Sequence, residues 1–279
     1  MNIKSSLGEN LEYATTRIIS DTESIGTGFF IEFKHKGKEN YSIPVLVTNK
    51  HVVKGANSIK FSVSVRNKKT SDYIKNYWVE IINLNQTIIL HDDKDVDLCL
   101  IPIGPILNSL NEQSLEADIF PFPEDVIYIN GSKEGHDISS LQEIHMTGYP
   151  NGLWDEVNNK PITRKGLTAT NIKSDWNGKK QFIIDIACFP GSSGSPVYVY
   201  NNGAFVTGGN LVHGERLVLL GVLFAGPQIT ASGDIHIVDV PTDYKHIAVT
   251  NMMMNLGIII KASELLVLKN QLLRKANLP

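Results

Sequence analysis

Cysteine is scarce in this chain, which has only Cys99 and Cys188 among its 279 residues. Both lie in apolar runs, LCLIP and IACFP, where a thiol behaves as a small buried hydrophobic group. Because disulfide-stabilised secreted proteins carry several bridges, two cysteines favour a reducing compartment. Residues 1–17 also contain no apolar stretch of signal-peptide length. We therefore expect a cytoplasmic protein.

The sequence also has no long hydrophobic run and no excess of basic charge. No stretch approaches the ~20 apolar residues of a membrane span, and the longest candidate, Met252–Ile260, is interrupted by Asn255 and Gly257. The net charge of −3 excludes the basic surface that is typical of nucleic-acid-binding proteins. There is no H-E-x-x-H or Walker-type motif, and we interpret Gly26-Thr27-Gly28 as a barrel turn. We expect no metal, cofactor, membrane or nucleic-acid partner.

What the sequence does contain is a succession of short β-like runs separated by turn residues. Alternation is clearest in Ile59–Val65, which suits a half-buried antiparallel strand. Asn177-Gly178 and Asn202-Gly203 are expected to be hairpin turns. The predicted strands are Thr27–Phe33, Val45–Thr48, Ile59–Val65, Val79–Asn83, Thr87–Ile89, Leu98–Ile103, Glu143–Thr147, Leu167–Ile172, Gln181–Ile186, Ser195–Tyr200, Arg216–Phe224 and Ile235–Val240. This number of strands predicts an all-β protein with two barrels or two sandwiches.

Two segments depart from the strand pattern. Gly104–Leu141 is acidic and rich in proline and glycine, so we expect a connection between barrels with one helical turn. In Ser263–Leu273 apolar residues recur at helical spacing, and Ser263 is placed to cap a C-terminal helix. The segment before Ile18 is expected to be a short helix. The predicted division is a barrel at 1–110, a connection at 111–141, and a barrel plus helix at 142–279.

The segment Phe189–Val197 contains a candidate nucleophile. A serine that attacks a carbonyl must project from a tight turn whose N–H groups point at the developing oxyanion. Only Ser193 has a glycine two residues before it and another directly after it, Gly191 and Gly194. An ordinary Gly/Ser/Pro loop is the alternative for this segment alone.

A serine nucleophile needs a base, and the base needs an orienting carboxylate. His51 follows the apolar run Pro44–Thr48, so a strand end would deliver its imidazole to a barrel rim. Asp97 is the last acid of the loop Asp92–Asp97 before the apolar run Leu98–Ile101, where it can be shielded from water. Asp92, Asp93 and Asp95 are interpreted as a solvated acidic turn.

The order His51, Asp97, Ser193 and the surrounding motifs resemble the chymotrypsin/trypsin-like superfamily of two-barrel serine proteases. The matching segments are GTGFF from Gly26, TNKHVV from Thr48, DLCL from Asp97, GYPNG from Gly148 and GSSGSP from Gly191. Within the superfamily the chain is similar to bacterial stand-alone trypsin-like peptidases and to heat-shock serine protease domains without PDZ modules. The resemblance covers roughly residues 17–245.

The resemblance implies further roles for this chain. It implies two six-stranded antiparallel β-barrels, a peptidase acting through an acyl-enzyme on Ser193, and an oxyanion hole formed by the N–H groups of Gly191 and Ser193. It places Ala187 at the floor of the substrate pocket and Leu223, Phe224 and Ala225 along its wall. Because none of these pocket residues is charged, we expect cleavage after small or medium apolar residues, unless His213 or Glu215 supplies a charge.

Ser192 departs from the zymogen-activated digestive enzymes, which carry an aspartate there that pairs with a new N-terminus. Activation by N-terminal trimming is therefore not implied. The expected partners are a protein or peptide substrate and a regulatory protein. Two alternatives remain open: the same fold used as a catalytically silent protein-binding module, and a hydrolase that acts on esters.

Overall fold

The computed structural model describes residues 6–35, 41–131, 137–234 and 247–276. The first half forms one antiparallel sheet with a single parallel pairing. Its elements are helix α1 (Leu7–Leu11), strands β1 (Thr15–Ser20), β2 (Ile25–Lys34), β3 (Ser42–Thr48), β4 (Ile59–Asn67) and β5 (Tyr73–Ile81), helix α2 (Leu84–Thr87), strands β6 (Ile89–Leu90) and β7 (Cys99–Pro102), helix α3 (Gly104–Glu112), and strands β8 (Leu115–Asp118) and β9 (Phe122–Pro123).

Seven of these strands follow the order β5-β4-β1-β2-β3-β7-β6. The two short strands of the connection pair with interior strands, β8 with β4 and β9 with β2, so the sheet has nine strands rather than six. Strand β1 also arises where the sequence suggested only a helix, since α1 ends at Leu11 and the chain then becomes extended. The connection contains a nine-residue helix, α3, instead of one turn.

The second half contains a closed six-stranded barrel in the order β10-β11-β12-β17-β14-β13. A separate two-stranded ribbon, β15-β16, lies between β14 and β17 in the chain, and helix α4 follows the barrel. The elements are β10 (Glu143–Gly148), β11 (Ile162–Thr168), β12 (Gln181–Asp185), β13 (Pro196–Thr207), β14 (Asn210–Ala225), β15 (Gln228–Asp234), β16 (Ile247–Met253), β17 (Leu256–Lys261) and α4 (Glu264–Lys275). The all-β, chymotrypsin-like class with a C-terminal helix is confirmed.

Several local expectations need correction. The sixth barrel strand is Leu256–Lys261, whereas the predicted strand Ile235–Val240 lies outside the described residues. Asn177-Gly178 does form a tight turn, bridged by Trp176 and Lys179. Asn202-Gly203 does not, because both residues lie inside β13, and the hairpin reverses only between Thr207 and Asn210.

Three clusters of buried apolar side chains fill the described part of the molecule. One lies within the first sheet and another inside the second barrel. The third joins the two halves: it includes Phe29 and Val47 of the first, Leu219 of the second, and Leu265 and Leu268 of α4. This shared core fixes the two sheets against each other, and the candidate site lies where they meet. In the described part of the chain, no helix has the length and apolar character needed to cross a bilayer.

Candidate active site

The pairing of β3 with β7 brings His51 and Asp97 together. Thr48 at the end of β3 is in register with Cys99 at the start of β7, so the residues just beyond each strand end are neighbours. His51 lies in the 3-10 turn Lys50–Val53 directly after β3. Its Nδ1 is 2.5 Å from Oδ2 of Asp97, and its backbone N–H donates to Oδ1 at 3.1 Å. Two contacts therefore orient the carboxylate toward the imidazole.

This arrangement leaves one nitrogen of His51 available. When the ring is neutral, an Nδ1–H that donates to Asp97 puts the lone pair on Nε2, the atom that can accept a proton. The His51 side chain is 46% exposed, whereas that of Asp97 is 22% exposed. Both line a cleft of about 700 Å³ that Lys54, Lys94 and Leu84 also border. A general base needs this combination of a partly buried carboxylate and an accessible ring.

Ser193 lies in a tightly folded loop between β12 and β13. Other N–H groups of this loop are hydrogen-bonded: Ser192 donates to the carbonyl of Phe189 at 3.0 Å within the loop, and Gly194 donates to the carbonyl of Leu223 in β14 at 2.8 Å. The N–H groups of Gly191 and Ser193 have no acceptor among the described residues. Two unpaired donors beside a serine are the groups that an oxyanion-binding element requires.

Two glycines allow this loop its shape. Gly191 and Gly194 have φ angles of +81° and +90°, in the region that side chains disfavour. A Cβ on Gly194 would lie 1.9 Å from the carbonyl oxygen of Thr27, and one on Gly191 would lie 2.6 Å from that of Tyr149. Both positions therefore require glycine for conformation and for close approach. The sequence predicts a role for both glycines, whereas the backbone atoms that they face are visible only in the structure.

Thr27, near the start of β2, connects the serine loop to the first sheet. Its N–H donates to the carbonyl of Ser193 at 2.8 Å, and its hydroxyl donates to the carbonyl of Gly191 at 2.9 Å. Its own carbonyl accepts from the hydroxyl of Thr48 at 2.8 Å, three residues before His51. Thr27 thus links the loop with Ser193 to the strand end with His51. Gly26-Thr27-Gly28 is part of this strand, not the turn expected from its glycines.

His51 and Ser193 are not hydrogen-bonded to each other, and the contacts of Thr27 connect the segments that carry them. Within the described part of the chain, neither the Oγ of Ser193 nor the Nε2 of His51 has a hydrogen-bond partner. Catalytic hydrogen bonds are often long without substrate and tighten when it binds.

The four residues expected at the substrate pocket are near this loop. Leu223 forms two backbone hydrogen bonds with the loop: its carbonyl accepts from the N–H of Gly194, and its N–H donates to the carbonyl of Ser195 at 2.9 Å. Phe224 and Ala225 continue β14 and are half-buried. Ala187 is half-buried in the loop after β12, and its carbonyl accepts from the guanidinium of Arg164.

His213 and Glu215 do not supply a charge to this pocket. They lie on the same extended strand as Leu223 but at least eight residues earlier, roughly 26 Å or more away at ~3.3 Å per residue. The strand positions them at the far end of the β13–β14 hairpin, where Gly214 pairs with Gly203. The wall of the expected pocket therefore stays apolar along Leu223–Ala225.

Gly257 and Cys188 complete the apolar surroundings of Leu223. A Cβ on Gly257 would lie 2.7 Å from the Sγ of Cys188 and 3.0 Å from Leu223. Burial raises the pKa of the Cys188 thiol to about 11, so the sulfur is protonated at neutral pH and is a poor nucleophile. Both cysteines are free and buried. In the described residues, no group of three His, Cys, Asp or Glu side chains is placed to hold a metal ion.

Three residues of this region were not found from the sequence: Thr27, Arg164 and Gly257. In the sequence Thr27 belongs to the GTGFF segment and to a predicted strand without a role at the site, Arg164 gives no signal, and Gly257 is only a break in an apolar run. The signal for each exists only after folding, because their partners are distant in the chain.

Comparisons with known proteins place this geometry in a family. The trypsin-like peptidase domain model matches residues 26–208, more than half of the chain. Similar solved structures include the HtrA-type protease AlgW with a decapeptide (13% identity, TM-score 0.43) and the scabies mite inactivated protease paralogue S-I1 (9% identity, TM-score 0.45). The matches cover 95% of this chain in both cases, 66% of the AlgW chain and 97% of the paralogue.

This chain therefore spans about two thirds of the length of AlgW. A search of curated protein sequences gives no match. The match to the domain model includes the positions of His51, Asp97 and Ser193. The chain belongs to the trypsin-like peptidase family.

Proposed function

We propose that this chain is a serine endopeptidase that hydrolyses peptide bonds through an acyl-enzyme on Ser193. The observation that carries the proposal is the combination of a 2.5 Å His51–Asp97 contact with a serine whose loop leaves two N–H groups unpaired. A base with its orienting carboxylate and an oxyanion-binding element are the two parts that acyl transfer requires.

In the proposed mechanism His51 accepts the hydroxyl proton through Nε2 as Ser193 Oγ attacks the scissile carbonyl carbon. The carbonyl oxygen becomes an oxyanion, which the N–H groups of Gly191 and Ser193 bind. The imidazolium, stabilised by Asp97, then returns the proton to the leaving amine, and the C–N bond breaks. Water, deprotonated by His51, releases the acyl group by the same steps in reverse.

For the substrate, we propose cleavage after small or medium apolar residues. Ala187, Leu223, Phe224 and Ala225 present no carboxylate, and burying an unpaired lysine or arginine side chain among them would be costly. The guanidinium of Arg164, which bonds to the carbonyl of Ala187, adds positive charge on that side and further disfavours a basic residue. A peptide-library digest read by mass spectrometry tests this; dominant cleavage after Arg, Lys or Glu would contradict it.

A cytoplasmic location and control by a partner protein are also part of the proposal. The support for the location is that both cysteines are free and buried, as in proteins of a reducing compartment.

The proposed activity is tested with a fluorophosphonate probe on the purified protein. The wild type should be labelled, and Ser193→Ala should lose both the label and peptidase activity, by a factor on the order of 10⁶ in turnover. Ser195→Ala is the matched control, because Ser195 Oγ is buried and makes no hydrogen bond. An unlabelled wild type would instead favour a catalytically silent binding module; labelling of Ser193→Ala would exclude Ser193 as the nucleophile.

A further inference from the structure

Arg164 reaches from β11 into the loop that carries Ser193. One terminal nitrogen of its guanidinium donates to the carbonyl of Ala187. The other donates to the Oγ of Ser192 at 2.8 Å. Ala187 and Ser192 lie on either side of the segment 188–191, so a single planar group connects both sides of it to the barrel wall. A guanidinium is well suited to this because its donors have fixed relative directions.

The backbone of Ser192 closes two successive turns of the loop. Its N–H closes the turn that begins at the carbonyl of Phe189, and its carbonyl accepts from the N–H of Ser195 at 3.0 Å, closing the turn that carries Ser193. Its side chain is fully buried. The unpaired N–H groups of Gly191 and Ser193 immediately flank it. A displacement of Ser192 would therefore move both proposed oxyanion donors together.

The surroundings of Arg164 are unusual for an arginine side chain. It is half-buried, its Nε has no hydrogen-bond partner, and it forms no ion pair with a carboxylate of the described residues. Desolvation lowers the pKa of its guanidinium from the usual value, which measures the cost of holding a cation there. The two acceptors, the carbonyl of Ala187 and the hydroxyl of Ser192, are neutral. The two hydrogen bonds are charge-assisted because their donor is a cation, but they are not part of a salt bridge. An apolar side chain at this position would leave the buried hydroxyl of Ser192 and the carbonyl of Ala187 without these donors.

We propose that Arg164 is a positioning residue that holds the oxyanion-binding loop in its competent shape without cleavage of the chain. The proposal rests on the proposed peptidase function and deepens it. The digestive enzymes noted above use an aspartate and a newly formed N-terminus at this place. In this chain Ser192 occupies the position of that aspartate, and its hydroxyl accepts a hydrogen bond from Arg164 of β11. This contact forms when the chain folds and requires no new N-terminus.

The inference is tested with Arg164→Ala and Arg164→Lys, and with Lys165→Ala as a control. Lys165 is the next residue on β11, its side chain is exposed, and it pairs with Glu143 away from the loop. For Arg164→Ala we expect kcat on a peptide ester to fall by about 10²–10³, the loss typical of an impaired oxyanion hole. KM should change little, and affinity for a peptide boronic acid should fall in parallel with kcat. Arg164→Lys should be intermediate, because an ammonium cannot span both acceptors in the same plane.

Chemical rescue separates positioning from a merely structural role. Arg164 lines a surface cavity of about 560 Å³ together with Phe189 and Ile162, so a free guanidinium ion can enter the space left in Arg164→Ala. Millimolar guanidinium should restore part of kcat in this variant and leave the wild type unchanged. Loss of kcat together with a lowered melting temperature and no rescue would overturn the proposal, as would a kcat within threefold of the wild type.

Hydrogen exchange of the peptide 187–195 gives a readout that does not depend on activity. Exchange should accelerate in Arg164→Ala and be unchanged in Lys165→Ala. A wild type that takes no fluorophosphonate label would contradict the proposed function, and the exchange data would still decide whether Arg164 holds the loop. Unchanged exchange in Arg164→Ala would refute the inference even if the wild type is an active peptidase.

Discussion

At the scale of single residues, the contact between His51 and Asp97 leads to the first prediction. Asp97→Asn should lower kcat by about 10⁴, since an amide can donate to Nδ1 and so stabilise the tautomer that cannot accept the serine proton. Initial rates on a peptide ester, with the melting temperature as a check on folding, measure the effect.

Asp95→Asn is the matched control for this change. Asp95 lies two residues earlier in the same acidic loop and is exposed; the backbone N–H of Asp95 bonds to Asp93, and its carboxylate is not near His51. Its substitution should change kcat by less than a factor of about two, as expected for a surface site. Equal losses in Asp95→Asn and Asp97→Asn would contradict the assignment of Asp97.

The sequence predicted those site residues whose role depends on local context. His51 follows a strand, Asp97 precedes one, and Ser193 lies between glycines, and each signal is contained in about ten residues. Arg164 and Thr27 could not be found in this way. Arg164 acts on residues 23 and 28 positions away, and Thr27 on Gly191, 164 positions away. Only the closed barrel and the packing of the two sheets bring these groups together.

At the scale of secondary-structure elements, β2 both forms the centre of the first sheet and supports the serine loop. Thr27→Val keeps the side-chain shape but removes the hydroxyl that donates to the carbonyl of Gly191 and accepts from the N–H of Tyr149 at 3.1 Å. Each buried group left without a partner costs about 1–3 kcal/mol. We expect a lower free energy of unfolding and a kcat lowered by roughly ten- to a hundredfold, because small displacements of catalytic groups are costly.

Thr16→Val in β1 is the control for Thr27→Val. The hydroxyl of Thr16 is also buried and donates to the carbonyl of Ser62 at 2.7 Å, but within the first sheet and away from the serine loop. Urea unfolding should show a comparable loss of stability in this variant, whereas kcat should stay near the wild-type value. If both variants lose activity in proportion to stability, Thr27 has no specific link to the site.

Strands with clear alternation or turn boundaries were predicted well, as β4 and β12 illustrate. The misses have physical reasons. β17 contains three consecutive isoleucines, Ile258–Ile260, which a periodicity argument cannot distinguish from a buried helix. The turn of the β13–β14 hairpin falls at Gly208-Gly209, where φ is +57° and +76°, and not at Asn202-Gly203. Two successive glycines satisfy a left-handed turn at lower cost and extend both strands.

At the scale of the whole molecule, the shared apolar cluster makes the two halves dependent on each other. Leu268 of α4 is fully buried in the same cluster as Phe29 of the first half and Leu219 of the second. A partly buried ion pair adds a polar link, since Nζ of Lys269 lies 2.7 Å from Glu124 of the connection. Helix α4 thus contacts the first sheet, the connection and the barrel. We therefore expect the described parts to unfold as one cooperative unit.

Leu268→Ala tests this expectation. Removing a buried leucine side chain should lower the free energy of unfolding by about 2–5 kcal/mol. Because the cavity lies between the halves, the wild type and the variant should each show one transition, with far-UV circular dichroism and tryptophan fluorescence coincident. Trp176 lies in the second half, whereas Trp78 of the first half and Trp154 of the second are in ring contact, with centroids 6.5 Å apart, so their fluorescence reports on the contact between the halves. Val267→Ala, at a neighbouring position that is 38% exposed, should cost much less. Circular-dichroism and fluorescence transitions that separate in Leu268→Ala would mean that the halves unfold independently and that α4 stabilises only the barrel it follows.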